Sequence, residues 1–519
     1  MQTVYCRLRW VLVGVLTAGL AAVIFALQPR PFYHDPSVFI VIGRGLFSGQ
    51  VPFLDLWDHK PPGTYLVGSA AWALYQSDTT ASMQGLSAIA IGVTGAACGW
   101  LVTSVYSRFE SGVATAVVLA LGLCLPTVSS GGGMTELFSV MGLALAFAAV
   151  SGMALGRRGM AWPIVAGASF SWAVNCSLLA MAAVPALAVL WLSIPIGAGS
   201  FPPSRSNWRT WVLRRLVDLR LLVAVVAAVA VTAVVWWPVL VGGGLPAAIE
   251  ALWRYNGLYS AGGGYHLGGW KSAIELIWPI WLPTLVLGLI PAARRRLLGF
   301  QLLRSLFTWA MVLWLAVEFV MVFIGRRFYA HNLTLFIAPL AVLMGFAISQ
   351  LWLDQAVVVR RALIAAASLA IAIGLGWPLS QAAPTSKEIA ASNQIAAYVD
   401  ANSAPGDTIY VWGDDPDLYL RADRAPAGRF FQLNPLIMPG YEQQAVADTL
   451  NTWLAHPPRL IIMSLGTTTD ALTMYPLIQT PSQGTASSRP ALRPLQDFIR
   501  AHYDLAATYA VGEIWRYHQ

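Results

Sequence analysis

Residues 32–65, FYHDPSVFIVIGRGLFSGQVPFLDLWDHKPPGTY, decide how the chain is read. This stretch follows the first long apolar segment and carries His34, Asp35, Arg44, Asp55, Asp58, His59 and Lys60 among the bulky residues Val38, Phe39, Ile40, Ile42, Leu46 and Phe47. A loop that only joins two membrane spans is short and solvating. Charge alternating with large apolar side chains suits instead a helix lying on a membrane surface, apolar face down. The rest of the chain reads as scaffold for this segment.

The composition sets the class. Of 519 residues 57% are hydrophobic and only 11% charged, too apolar for a soluble protein of this length and characteristic of a polytopic membrane protein. The formal net charge of +8 is carried almost entirely by arginine, gathered in short runs between apolar segments. Such runs set membrane topology; a groove-lining stripe for nucleic acid is excluded. The four cysteines, Cys6, Cys98, Cys124 and Cys176, show neither metal-ligand spacing nor a disulfide framework. Arg7 and Arg9 precede an apolar run that lacks a small-x-small cleavage site, so the N-terminal segment is expected to stay as an uncleaved span.

Apolar runs long enough to cross a bilayer fall near 10–27, 79–106, 112–127, 136–155, 161–177, 179–197, 220–240, 272–291, 305–324, 331–352 and 361–380, about eleven crossings. Residues 62–76 fall short of the roughly 17 to 25 residues a spanning helix needs. With that segment kept out of the count, Arg108, Arg157, Arg158, Arg205, Arg209, Arg214, Arg215, Arg220, Arg294, Arg295, Arg296, Arg304, Arg360 and Arg361 all share the side of Arg7 and Arg9, as the positive-inside rule requires. The N-terminus is then cytoplasmic, and the first external loop, residues 28–78, is extracytoplasmic. Further external loops are expected at 126–136, 241–271 and 325–331.

Near residue 384 the pattern changes to amphipathic helices alternating with short strands. The expected architecture is an all-α transmembrane module over 1–383 and a soluble α/β domain over 384–519, outside the membrane. Within that domain, helices are expected at 386–402, 441–454 and 492–501, strands at 408–412 and 460–463 and two more at the C-terminus, and a mobile loop at 480–491.

Several external residues carry chemistry, each with a structural alternative. Asp35, just beyond the first span, is placed to act as general base towards an incoming hydroxyl, or to cap a helix starting near Ser37. Lys60, one of three lysines in the chain, precedes Pro61 and Pro62 at a helix start, where charge and dipole favour a lipid phosphate; pairing with Asp55 or Asp58 is the alternative. Glu136 follows a Gly-rich turn, as a second carboxylate or as part of a capping box. Arg326 and Arg327, with Tyr329 and His331, place positive charge on the outer side, which calls for a phosphate or pyrophosphate, or for Glu318 as a buried partner. Residues 251–271, ALWRYNGLYSAGGGYHLGGWK, with Tyr265 and His266, read as a mobile aromatic lid suited to sugar rings, or as an interfacial aromatic belt. Asp415 and Asp417 form an Asp-x-Asp pair that a polar turn after a strand explains.

Taken together, Asp35 after the first span, WDHKPP with Tyr65 following, the Gly-rich turn ending in Thr135 and Glu136, and GRRFYAH before a late span make the chain resemble the bacterial GT-C glycosyltransferases. The similarity is to the group of protein O-mannosyltransferases and lipid A aminoarabinose transferases, which use polyprenyl-phosphate sugars. The resemblance implies an inverting transfer of a sugar from a polyprenyl phosphate to an acceptor hydroxyl at the outer face of the cytoplasmic membrane. It implies Asp35 as catalytic base, Lys60 as the phosphate-contacting lysine and Glu136 as a second-loop carboxylate; the charge and aromatic patterns above add Arg326 and Arg327 as expected phosphate ligands and Asp58, His59, Tyr329, His331, Tyr265 and His266 as expected substrate contacts. Many relatives carry Asp-Glu in the first loop, whereas Pro36 follows Asp35 here, which leaves the acceptor (glycan, lipid or protein) open. No cofactor is required by this scheme; a divalent metal is compatible with it but not demanded. The competing readings are an oligosaccharide ligase using a lipid-pyrophosphate glycan, a non-enzymatic transporter of lipid-linked sugars, and a glycan sensor anchored by its spans.

Overall fold

The computed structural model describes residues 2–27, 34–129, 131–195, 208–262, 275, 278, 280–286, 302–324, 329–354, 386–413, 415–464, 490–509 and 512–518. Among them, six helices are long and apolar enough to cross a membrane: Leu8–Leu27, Thr79–Tyr106, Thr135–Ala154, Leu219–Val241, Leu306–Phe323 and Ala330–Gln350. The molecule is a polytopic, mostly helical membrane protein with a small sheet.

Three of the expected crossings take shorter forms. The segment expected at 112–127 is the 15-residue helix Phe109–Leu123, which stops ahead of Leu125 because the residue before Pro126 is pushed out of the α region. The segment at 161–177 is the 16-residue helix Ala161–Cys176, and extended backbone at Ser177 separates it from a 3-10 turn, Leu178–Ala183, that runs into Val184–Leu192. Of the segment at 272–291 only residues 275, 278 and 280–286 are described; the one at 361–380 lies outside the described residues, as does 480–489 of the C-terminal loop.

The chain forms two compact units. One comprises Met1–Gln28, Gln84–Trp236 and Gly264–Ala382; the other comprises Pro29–Met83, Trp237–Gly263 and Ala383–Gln519. In the first unit, helices Thr135–Ala154 and Thr334–Asp354 form the buried centre, lined by Leu137, Val140, Leu143, Phe147, Leu335, Ile337 and Val342. Thr135–Ala154 packs on Ala161–Cys176 through small residues, with Ser139 Oγ donating to the Ala173 carbonyl at 3.0 Å. Leu219–Val241 keeps Leu222, Val225, Val226 and Val229 exposed, an apolar surface suited to lipid.

In the second unit a five-stranded sheet has the order β2-β1-β3-β5-β4. Its strands are β1 (Thr408–Trp412), β2 (Ala425–Pro426), β3 (Leu460–Ser464), β4 (Tyr503–Tyr509) and β5 (Gly512–Tyr517). β1 runs parallel to β2 and β3, with Ile409 opposite Leu460, and β5 pairs antiparallel with β3 and β4. Ile409 through Trp412 and Leu460 through Ile462 are buried, the continuous apolar run expected of strands covered on both faces. Helices Ser386–Asn402, Glu442–Ala455 and Arg493–His502 accompany the sheet; the last buries Leu495, Phe498 and Ile499 at helical spacing.

The same unit holds the segment of residues 32–65. Helix His34–Phe47 lies against helix Gly63–Leu74, whose 12 residues give a length of about 18 Å, short of the roughly 30 Å of bilayer hydrocarbon. Val38 through Ile42 are buried in protein, so the expected apolar face down on a membrane is not what this helix presents; only Phe47 near its end is open. Glycine makes the difference. Gly43 and Gly68 bring the two backbones into contact, and Ser69 Oγ donates to the Gly43 carbonyl at 3.0 Å.

Candidate functional site

The WDHKPP segment has no regular secondary structure, yet much of its backbone is tied to partners elsewhere. Trp57 N donates to the Arg429 carbonyl at 2.9 Å, and the Trp57 carbonyl accepts from Gln432 Nε2 at 3.0 Å. The His59 carbonyl accepts from Asn256 Nδ2 at 3.0 Å, and the Lys60 carbonyl accepts from the Tyr65 hydroxyl at 2.8 Å. Just upstream, buried Phe53 has φ of 69°, a left-handed backbone that bulky residues rarely adopt. It is held there by its N–H to the Leu56 carbonyl, by Arg429 Nε on its own carbonyl at 2.8 Å, and by an edge-on contact with the Tyr65 ring.

Side chains complete the enclosure. Asp58 is buried; its carboxylate accepts from the Tyr65 hydroxyl at 3.2 Å and lies 3.2 Å from His59 Nδ1. Burial, reinforced by the Asp58 charge, pushes the Tyr65 hydroxyl well above the ordinary tyrosine range, so it remains a donor at any working pH. The His59 ring lies 5.3 Å from both Tyr255 and Tyr259 and 6.0 Å from Trp57, in an aromatic surround. Lys60 is half-buried, three residues ahead of the helix Gly63–Leu74, whose dipole at this end favours an anion.

Tyr255, Asn256 and Tyr259 come from the segment expected to be a mobile lid. Through Ala261 it is helical instead: Leu245–Ile249, a π-helical stretch Glu250–Tyr255, and Asn256–Ala261. A π-helical stretch inserts an extra residue and re-aims the next turn, a feature concentrated at functional sites. Glu250 on it pairs with Arg429 at 3.3 Å and accepts from Gln444 Nε2 at 2.8 Å. Tyr265 and His266, the other lid residues named from the sequence, lie outside the described residues.

Asp35 is half-buried in the first turn of His34–Phe47. The helix begins at His34 and not near Ser37, so Asp35 sits within the first turn, where its negative charge is favoured by the dipole. Downstream on this helix, Arg44 Nη1 donates to the Tyr419 carbonyl at 3.1 Å and Nη2 to the Arg424 carbonyl at 2.6 Å, with Asp423 at 3.4 Å.

The first unit carries Glu136, Glu318, Tyr329 and His331, and the second carries Asp417. Glu136 is buried in the first turn of Thr135–Ala154, whose N-cap, Met134, has no side-chain cap; Thr135 Oγ1 bonds the Cys176 carbonyl, so no capping box forms. Glu318 is buried in Leu302–Ile324 and near enough to Glu136 for the two to act on each other electrostatically. Trp314, one turn earlier, is the hydrogen-bonding neighbour of Glu318, and among the described residues Glu136 Oε2 has no hydrogen-bond donor. Tyr329 and His331 stack with ring centroids 5.2 Å apart. Arg326 and Arg327 lie outside the described residues. Asp417 forms an ion pair with Arg421 one turn on, in keeping with a structural role for the Asp-x-Asp pair. Among the described residues, no group of three or more His, Cys, Asp or Glu is arranged to hold a metal.

Sequence reasoning missed Arg429, Gln432, Glu250 and Asn256, and named Arg44 without its partners. Each meets a group far away in the chain, and no local motif marks such a partner.

No protein-family model matches the chain, and no curated protein matches it. Solved structures do. The chain is similar to ArnT from Cupriavidus metallidurans, determined with undecaprenyl phosphate bound, at 15% identity and a TM-score of 0.59 over 98% of this chain and 97% of that one. It is also similar to the archaeal oligosaccharyltransferase AglB from Archaeoglobus fulgidus, in complex with an inhibitory peptide and a dolichol-phosphate, at 14% identity and a TM-score of 0.53 over 87% of this chain and 69% of that one. The fold is that of the GT-C membrane glycosyltransferases, and with ArnT the correspondence runs nearly end to end.

Proposed function

We propose that the protein transfers a sugar from a polyprenyl-phosphate donor to an acceptor hydroxyl at the outer face of the cytoplasmic membrane, with inversion at the sugar carbon. The observation that carries this reading is the enclosed, hydrogen-bonded WDHKPP segment presenting Lys60 next to a helix N-terminus, in a fold shared with a protein that binds undecaprenyl phosphate. In this reading Lys60, with Arg326 and Arg327, holds the lipid phosphate, and the oxygen of the breaking sugar–phosphate bond leaves with the lipid. Asp35 takes the proton of the acceptor hydroxyl as that oxygen attacks the sugar carbon. Glu136 orients the acceptor or the sugar. Asp58 and His59 contact the donor from the first external loop, with Tyr265, His266, Tyr329 and His331 as further contacts.

The N-terminus lies in the cytoplasm, residues 1–383 form the catalytic module, and residues 384–519 lie outside. The acceptor is a glycan, a lipid or a protein. The direct test is binding of undecaprenyl phosphate to the full-length protein in lipid nanodiscs, comparing wild type with Lys60→Ala. Saturable binding weakened by Lys60→Ala is the expected result; equal binding by both would remove the donor assignment. Mass analysis of the carrier lipid that accumulates when the gene is deleted separates a single sugar from a preassembled glycan.

A further inference from the structure

The backbone of residues 53–60 is organised less by its neighbours in sequence than by residues about two hundred to almost four hundred positions away, all within one compact unit. Irregular backbone has as many donors and acceptors as a helix or strand, and in a buried place each must find a partner. Here the partners are Arg429 at both Phe53 O and Trp57 N, Gln432 at Trp57 O, and Asn256 at His59 O. Trp57 and Gln432 are almost fully buried, so solvent cannot replace these bonds.

Arg429 is itself fixed. Its guanidinium reaches Glu250 at 3.3 Å, and Glu250 accepts from Gln444 at 2.8 Å, while Arg254 Nη1 donates to Gln444 Oε1 at 2.9 Å. This network joins the π-helical stretch to the C-terminal sheet domain, and through Arg429 it reaches the Phe53 carbonyl and the Trp57 amide, three to seven residues ahead of Lys60. The left-handed Phe53 adds a second observation: a strained backbone persists only where its surroundings over-determine it, and such strain gathers at functional sites.

We infer that Gln432 and Arg429 are positioning residues for the lipid-phosphate lysine, and that the C-terminal domain is the template on which residues 53–60 are held. The inference rests on the reading of Lys60 as the phosphate ligand. A lysine whose backbone is clamped on both sides presents its ammonium from a fixed origin, so its long side chain loses less freedom when a phosphate arrives. Without the clamp the charge remains but its placement does not.

The experiment is a double-mutant cycle on undecaprenyl phosphate affinity in full-length protein in nanodiscs, using Gln432→Ala, Lys60→Ala and the pair, with the melting temperature of each. Gln432→Ala deletes the bond to the Trp57 carbonyl and leaves the lysine in place. It is expected to weaken binding about tenfold in the wild-type background and to have no further effect beside Lys60→Ala, the non-additivity of residues acting through one another. Arg429→Lys, which keeps the charge but not the fork that serves both Phe53 and Glu250, is expected to do the same. Loss of melting temperature with unchanged affinity, or equal weakening by Gln432→Ala in both backgrounds, overturns the positioning role while the donor reading stands. Lys60→Ala without effect on affinity overturns the donor reading, and this inference with it.

Discussion

Gly68 stands so close to Phe39 that a β-carbon placed on it would come within 2.0 Å of the Phe39 carbonyl oxygen. One placed on Gly43 would lie 2.3 Å from the Ser69 amide nitrogen. These two glycines let helices His34–Phe47 and Gly63–Leu74 meet backbone to backbone. Gly68→Ala must part the helices, so a loss of stability at or above the about 1–3 kcal/mol usual for overpacking is expected. Gly85, a helix glycine with nothing within 4 Å of a β-carbon, is the control: Gly85→Ala should hold or raise the melting temperature. Equal tolerance of both substitutions would refute the close approach.

Tyr65 links Asp58 to the Lys60 backbone through one hydroxyl. Tyr65→Phe keeps the ring contacts with Phe39 and Phe53 but removes the single O–H that the Lys60 carbonyl and the Asp58 carboxylate share. The expected cost is about 1–3 kcal/mol, read as a lower melting temperature together with weaker undecaprenyl phosphate binding. Unchanged binding would separate Tyr65 from the phosphate site.

Arg44 ties helix His34–Phe47 to the carbonyls of Tyr419 and Arg424. Burial lowers its pKa and Asp423 opposes that, yet the guanidinium stays charged at neutral pH. A lysine cannot serve two carbonyls through a planar fork, so Arg44→Lys should cost about 1.5–3 kcal/mol. Proteolysis of intact protein offers the measurement: faster cleavage within 386–464 in the variant is expected, and wild-type resistance would show the tie to be dispensable.

Glu318 sits buried in an apolar helix. Ionisable groups so placed in a span are costly to stability and mark function. Glu318→Gln keeps shape without the charge. The expected outcome has opposite signs, a melting temperature equal to or above wild type and reduced sugar transfer. A fall in melting temperature with full transfer would make Glu318 purely structural.

Asp35→Asn removes the carboxylate proposed as proton acceptor without changing size or the helix start. Transfer should fall by about two to four orders of magnitude, the usual contribution of a general base, with donor binding retained. Loss of binding instead would move Asp35 from base to donor ligand.

The helical membrane architecture was legible because spans and amphipathic elements follow from local periodicity, which needs no partner to be read. β1 and helix Ser386–Asn402 stand where alternation placed them, and residues 32–65 were recognisable from charges no ordinary connecting loop would keep. The burial of Val38 through Ile42 was not legible, because an apolar helix face looks the same whether it meets lipid or protein; Gly43 and Gly68 settle it only once they are seen face to face. The lid expected from glycine and aromatic content proved helical through Ala261, its aromatic residues drawn into packing around His59.

By itself the sequence determined that this is a membrane protein with Asp35, Asp58, His59 and Lys60 concentrated in one early segment, since composition and spacing are properties of the chain alone. Only the tertiary structure decided what holds that segment. Its backbone partners Asn256, Arg429 and Gln432 lie 197 to 376 positions away. A hydrogen bond to a backbone carbonyl imposes no residue type on the acceptor, so nothing in the segment itself names its donor.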